Sequence, residues 1–172
     1  MLENSTLVAL AWTRTTLADG TVAWIRAING VDGQPVGFVR YQKLAPIPWL
    51  FWLRSIRLDV FETDDASHLM TLSRSWMMRN IWNLHDAENR LVGSLFPKRL
   101  VGSDGQVRGY LHREPDGQGR ILGPEGQVQA RFCTKNTVEL EMSFFPGAPA
   151  NPFLRMLMLG CLLTLDAKTK DM

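Results

Sequence analysis

Hydrophobic positions recur at period two through most of this chain, in short runs separated by turn residues, a pattern that predicts β-strands. Residues 137–145 alternate most cleanly. Val138, Leu140, Met142 and Phe144 fall on one face, and Thr137, Glu139, Glu141 and Ser143 on the other. Ile56, Leu58 and Val60 alternate with Arg57 and Asp59, as in a strand with one wet face. Residues 7–12 form a first apolar run. Residues 21–28 form a second, carrying Val22, Trp24 and Ile28 at period two, with Arg26 breaking the alternation, and residues 35–41 form a third. Further strands are expected around Trp76-Met77-Met78 and Ile81-Trp82, at 91–95, at 107–112 and on either side of Gly123-Pro124-Glu125-Gly126. Turn signals stand between them: Asp19-Gly20, residues 29–34, 63–67 and 86–89, and Ser103-Asp104-Gly105. Asp and Asn favour such turns because they tolerate the left-handed region and bond their own backbone, which is reason enough for the acidic turns without invoking a cation. Residues 113–120, with Pro115-Asp116-Gly117, read as an exposed loop. Pro46 and Pro48 bar a central strand before Trp49.

The last apolar segment departs from this pattern. Asn151 is a good N-cap and Pro152 suits the first helical position. From Phe153 to Leu165 only Arg155, Gly160 and Thr164 interrupt the large apolar residues and Cys161, so a helix over about 151–165 is apolar nearly all round. Water does not tolerate such a helix unless the rest of the chain surrounds it. At ~1.5 Å per residue it is roughly 20 Å long, short of a ~30 Å hydrocarbon core. Gly160 is expected to resist enlargement if a strand backbone lies against it.

Roughly ten to twelve strands gain stability by closing, because closure removes sheet edges. A barrel of that size has a lumen too wide for wall side chains to fill alone. One apolar helix would fill it. The expected fold is therefore mainly β: a closed antiparallel barrel of about twelve strands around one central hydrophobic C-terminal helix, a single domain over residues 1–172.

This arrangement resembles the tubby-like C-terminal superfamily, which includes the phospholipid scramblases and the LURP-one-related proteins. The residues that carry the resemblance are the helix from Asn151 to Leu165 and the hairpins around Val31-Asp32-Gly33-Gln34-Pro35-Val36-Gly37 and Leu84-His85-Asp86-Ala87-Glu88-Asn89-Arg90-Leu91-Val92-Gly93. Residues 72–82 also resemble the strand before such a hairpin in the scramblase branch. The resemblance implies a non-enzymatic binding module that meets anionic phospholipid, or another phosphorylated ligand, at a membrane surface. The scramblase branch has an acidic calcium segment shortly before its last helix. Residues 142–149 here contain no carboxylate, so no calcium site, metal or cofactor is expected.

Composition adds little that discriminates. A formal net charge of +2 gives no argument for nucleic acid. Cys133 and Cys161 lack framework spacing and fit buried thiols in a reducing compartment. The N-terminus lacks the positive start of a secretory signal, so a cytoplasmic location is expected, peripheral at a membrane where lipid is bound, with no transmembrane segment. His68, His85 and His112 lie in separate hairpins without metal-ligand spacing. No GxSxG, Walker or GxGxxG motif occurs, and no nucleophile, base and orienter can be assembled, so an enzyme is not expected. The basic residues suggest more. Lys98, Arg99, Arg108 and Arg113, with Arg120 and Arg131 from neighbouring segments, are candidates for an anion or lipid head-group site. Trp49, Phe51 and Trp52 are candidates for membrane or partner contact. The alternative function is a scaffold that docks a protein partner or self-associates through that aromatic run.

Overall fold

The computed structural model describes residues 6–17, 22–44, 55–63, 66–74, 77, 80–135, 139–145 and 151–167. Twelve strands follow in sequence: β1 (Thr6–Thr16), β2 (Val22–Asn29), β3 (Pro35–Leu44), β4 (Ser55–Glu62), β5 (His68–Arg74), β6 (Trp82–Asp86), β7 (Leu91–Leu95), β8 (Arg99–Gly102), β9 (Val107–Arg113), β10 (Gln118–Leu122), β11 (Val128–Lys135) and β12 (Glu139–Phe144). Each pairs antiparallel with its sequence neighbours, and β1 closes on β12 through Leu7 opposite Met142 and Ala9 opposite Leu140. The helix α1 (Pro152–Ala167) follows the last strand. Residues 156–164 are buried at every position, which is every side of the helix, so the barrel encloses it as expected.

Four of the hairpins share one turn design. Asp-Gly-Gln occurs at 32–34, 104–106 and 116–118, and Glu-Gly-Gln at 125–127. The glycine has a φ near +80° in each, from +76° at Gly33 to +85° at Gly117 and Gly126. In the first three, the aspartate Oδ1 accepts the N–H of the glutamine two residues on. These carboxylates are occupied with backbone, which accounts for the acidic turns. The design also corrects the reading of 113–120. With Glu114 N–H bonded to Gln118 O and Gly117 N–H to Glu114 O, this segment is a tight hairpin between β9 and β10. Its polar composition marks the turn and two exposed strand ends, which resemble a loop in sequence. Of the strand expected around Trp76-Met77-Met78 and Ile81-Trp82, β6 begins at Trp82, and residues 75, 76, 78 and 79 lie outside the described residues.

Arg26 does not break a strand; it faces the interior. Its side chain is wholly buried, pairing across β3 with the buried Val39. The register of β1 against β2 shifts between Ala9 and Trp12, and that bulge leaves the Leu10 carbonyl outside the ladder. Arg26 Nε donates to that carbonyl, and its guanidinium lies 5.5 Å from the Trp12 ring centroid. Trp12 in turn meets Tyr41 edge-on at 5.9 Å. The bulge and the buried arginine are thus one feature.

α1 begins as expected, with Asn151 Oδ1 accepting the Phe153 N–H at 2.9 Å. Around Gly160 the nearest approaches are from side chains and not from strand backbone. A Cβ there would meet the methyl tips of Leu72 at 2.8 Å, Leu84 at 2.9 Å and Leu95 at 3.3 Å. The close backbone approach is at Gly93 instead, where a Cβ would fall 2.2 Å from the Val101 carbonyl oxygen.

Candidate functional site

Strand direction divides the expected basic residues. Lys98 and Arg99 lie where β7 turns into β8, and Lys98 O accepts the Leu111 N–H near the far end of β9. Arg113 ends β9 on that side. Arg108 is at the other end of the same strand, about 17 Å away at ~3.4 Å per residue. Arg108 therefore stands apart from Arg113, although it is only two residues along β9 from Tyr110, which Arg99 faces. It lines a separate cleft near the start of α1.

Four strands of wall bring a different set together. On β10 and β11, Ile121, Ala130 and Phe132 are buried, so Arg120 and Arg131 project outward. The two are direct cross-strand partners, and Arg120 is also opposite His112 on β9. All three are exposed. One row toward β8, Arg99 faces Tyr110, itself exposed. Directly opposed like charges destabilise a sheet, typically by up to about 1 kcal/mol, so the Arg120–Arg131 pair is an unfavourable local choice. Among the described residues neither arginine makes an ion pair, nor does Arg99 or Arg113. Arg131 rests on the Phe145 ring at 5.0 Å and Arg99 on Phe96 at 4.7 Å, contacts that hold the guanidinium planes but leave the charge. Glu141 lies one row away, opposite Cys133. The result is a positive stripe, Arg99–His112–Arg120–Arg131, along the outside of β8–β11. Individual arginines are legible in the sequence, but this grouping depends on register.

A second polar cluster was not signalled by any motif. Asp59 has outward parity on β4, yet its side chain is only 2% exposed. Arg57 Nε donates to Asp59 Oδ1 at 2.7 Å, Thr71 Oγ1 to the same oxygen at 2.8 Å, and Arg40 Nη2 to Oδ2 at 3.4 Å. His68 Nε2 lies 3.0 Å from Thr71 Oγ1. Burial pushes the Asp59 carboxyl up, but the Arg57 and Thr71 hydrogen bonds, the Arg57 charge and the Arg40 bond together hold it below its ordinary value. Because Thr71 already donates to the carboxylate, its hydroxyl proton is committed to tying β4 to β5. Arg40 adds β3 to the same knot.

Trp49, Phe51 and Trp52 lie outside the described residues. Cys133 is half-buried and Cys161 buried, and neither is in a disulfide among the described residues. Among the described residues no three His, Cys, Asp or Glu gather into a metal-holding group, and no helix is long and apolar enough to cross a membrane.

No family model matches the chain, and no curated protein matches it. Among solved structures, an X-ray structure of the Arabidopsis thaliana protein AT5G01750 superposes with a TM-score of 0.57 at 10% sequence identity. The match covers 96% of this chain and 93% of that one. At that identity the likeness shows a shared fold: this chain has the same barrel architecture as a plant protein, from end to end.

Proposed function

We propose that this chain is a non-enzymatic binding module whose β8–β11 wall meets an anionic phospholipid surface, and that it is a divergent member of the tubby-like superfamily. The membership is supported by the twelve-strand barrel with its enclosed C-terminal helix. The binding reading rests on one observation, the opposed Arg120–Arg131 pair with no acidic partner among the described residues. A local electrostatic cost on an exposed wall is relieved when phosphate groups supply the missing negative charge, and arginine forks match phosphate oxygens in geometry. The stripe runs across four strands of the wall and not in a pocket, which suits a surface better than a small ligand. Association through the Trp49–Trp52 run remains the alternative, and it rests on the sequence alone.

Vesicle flotation tests the proposal. The protein is expected to float with phosphatidylserine-containing vesicles and not with pure phosphatidylcholine, and to be released by salt, since exposed charges are screened within ~10 Å at 0.1 M. Each basic residue near an anionic leaflet contributes about 1 kcal/mol, so the double variant Arg120→Ala/Arg131→Ala should lower partitioning about 30-fold. Its melting temperature should hold or rise slightly as the like-charge opposition disappears. Equal flotation with both vesicle types, or none with either, would sink the proposal.

A further inference from the structure

The cleft near the start of α1 has a different character from the wall. It encloses about 480 Å³, within the roughly 300–1,000 Å³ typical of small-ligand pockets. Its apolar side is built by Val92, Leu154 and Leu157, with Leu91 and Phe153 at the rim, 45% and 48% exposed. Large apolar side chains left half in water beside a cavity mark a place where an apolar body gains by covering them.

The polar side is Asp86, Arg90, Ser103, Arg108 and Asn151. Asp86 is consumed by the structure. Its Oδ1 accepts the Glu88 and Arg90 backbone N–H groups, and its Oδ2 accepts Arg90 Nε. Arg90 is further paired to Glu88. Arg108 pairs with Asp104 through Nη2 alone, so most of its five N–H donors remain for a ligand, and its side chain is 44% exposed. Such exposed ion pairs contribute little, about 0–1 kcal/mol, and a ligand anion competes with Asp104 at small cost. Gly102 makes room for this arginine, because a Cβ there would lie 2.9 Å from Arg108 Nε and 2.8 Å from Asp104 Oδ1. The helix N-terminus offers little directly. Pro152 has no N–H, Asn151 Oδ1 takes the Phe153 N–H, and Asn151 O takes that of Arg155. Recognition of a negative group therefore falls to Arg108.

We infer that this cleft binds a small amphipathic anion: one apolar chain lying on Leu154, Leu157 and Phe153, with an anionic oxygen head held by Arg108. The volume admits a single free chain and not a bilayer, so the inference is independent of the wall and its lipid surface.

The test uses the full chain, titrated by calorimetry with octanoate, and with acetate and octanol as head and tail alone. Saturable one-site binding of octanoate is expected, with acetate and octanol each weaker by at least about tenfold. Arg108→Ala and Phe153→Ser should each weaken octanoate about tenfold with unchanged melting, and Gly102→Ala should weaken it while keeping the arginine. The wall variant Arg120→Ala should bind octanoate normally. Absence of saturable binding, acetate binding as tightly as octanoate, or octanoate binding that Arg120→Ala weakens and Arg108→Ala does not, would each overturn the inference. Vesicle flotation of the same proteins reads the wall separately, so either site can fail without the other.

Discussion

At the residue scale, the buried carboxylate on the outer wall dominates. Asp59 is charged, out of water and satisfied by three donors from three strands. Asp59→Asn keeps the shape but removes the charge that Arg40 and Arg57 face, and should cost about 1–3 kcal/mol near pH 7 by denaturant unfolding. The sign of its pH dependence follows from the lowered pKa. The contribution is fully present above the unfolded carboxyl's ordinary value, about 3.9, and is lost as pH falls through the lower folded value. Below about pH 4 the wild-type protein should therefore lose stability more steeply than Asp59→Asn. Parallel acid limbs would show that this knot does not set the dependence. Two glycines separate in the same way. Gly93→Ala drives a methyl into the Val101 carbonyl and should cost about 1–3 kcal/mol. Gly160→Ala meets only leucine methyls and gains about 1 kcal/mol of helix propensity, so its melting temperature should stay close to wild type.

At the element scale, α1 is the core on which the strands close. Met158, Leu159 and Leu163 have no exposed surface. Leu159→Asp places an unpaired charge in an interior without water and should prevent folding, seen as loss of the cooperative melt and of soluble expression. Deleting residues 150–172 should leave an insoluble chain, because the inward faces of β6, β7, β8 and β12 would lose the helix they pack against. A soluble truncated protein with a cooperative melt would make the helix an accessory and remove it from the core. The hairpins need no such support to be recognised. Their Asp-Gly-Gln turns carry the left-handed glycine and the capping carboxylate in consecutive positions, so each turn is written locally.

At the scale of the molecule, polarity is arranged oppositely to that of a membrane barrel, with an apolar lumen around α1 and a wall bearing Arg57, Arg99, Arg120 and Arg131. The alternation, the turns and the all-apolar helix are properties of neighbouring residues. They determined the strands, the closure and what fills the lumen before any contact was known. Where local pattern misled, a long-range partner was responsible. Arg26 looks misplaced until the Leu10 carbonyl is seen. The candidate site was legible only as a set of arginines. Which of them share a surface depends on strand direction and register, quantities with no local signature. Antiparallel pairing set Arg99 opposite Tyr110 and Arg120 opposite His112, and it put Arg120 directly against Arg131. A shift of one residue would have turned one of that pair inward. The sequence by itself determined that this chain closes around its last helix; only the tertiary structure decided which charges stand together, because that depends on pairings between segments that carry no record of one another.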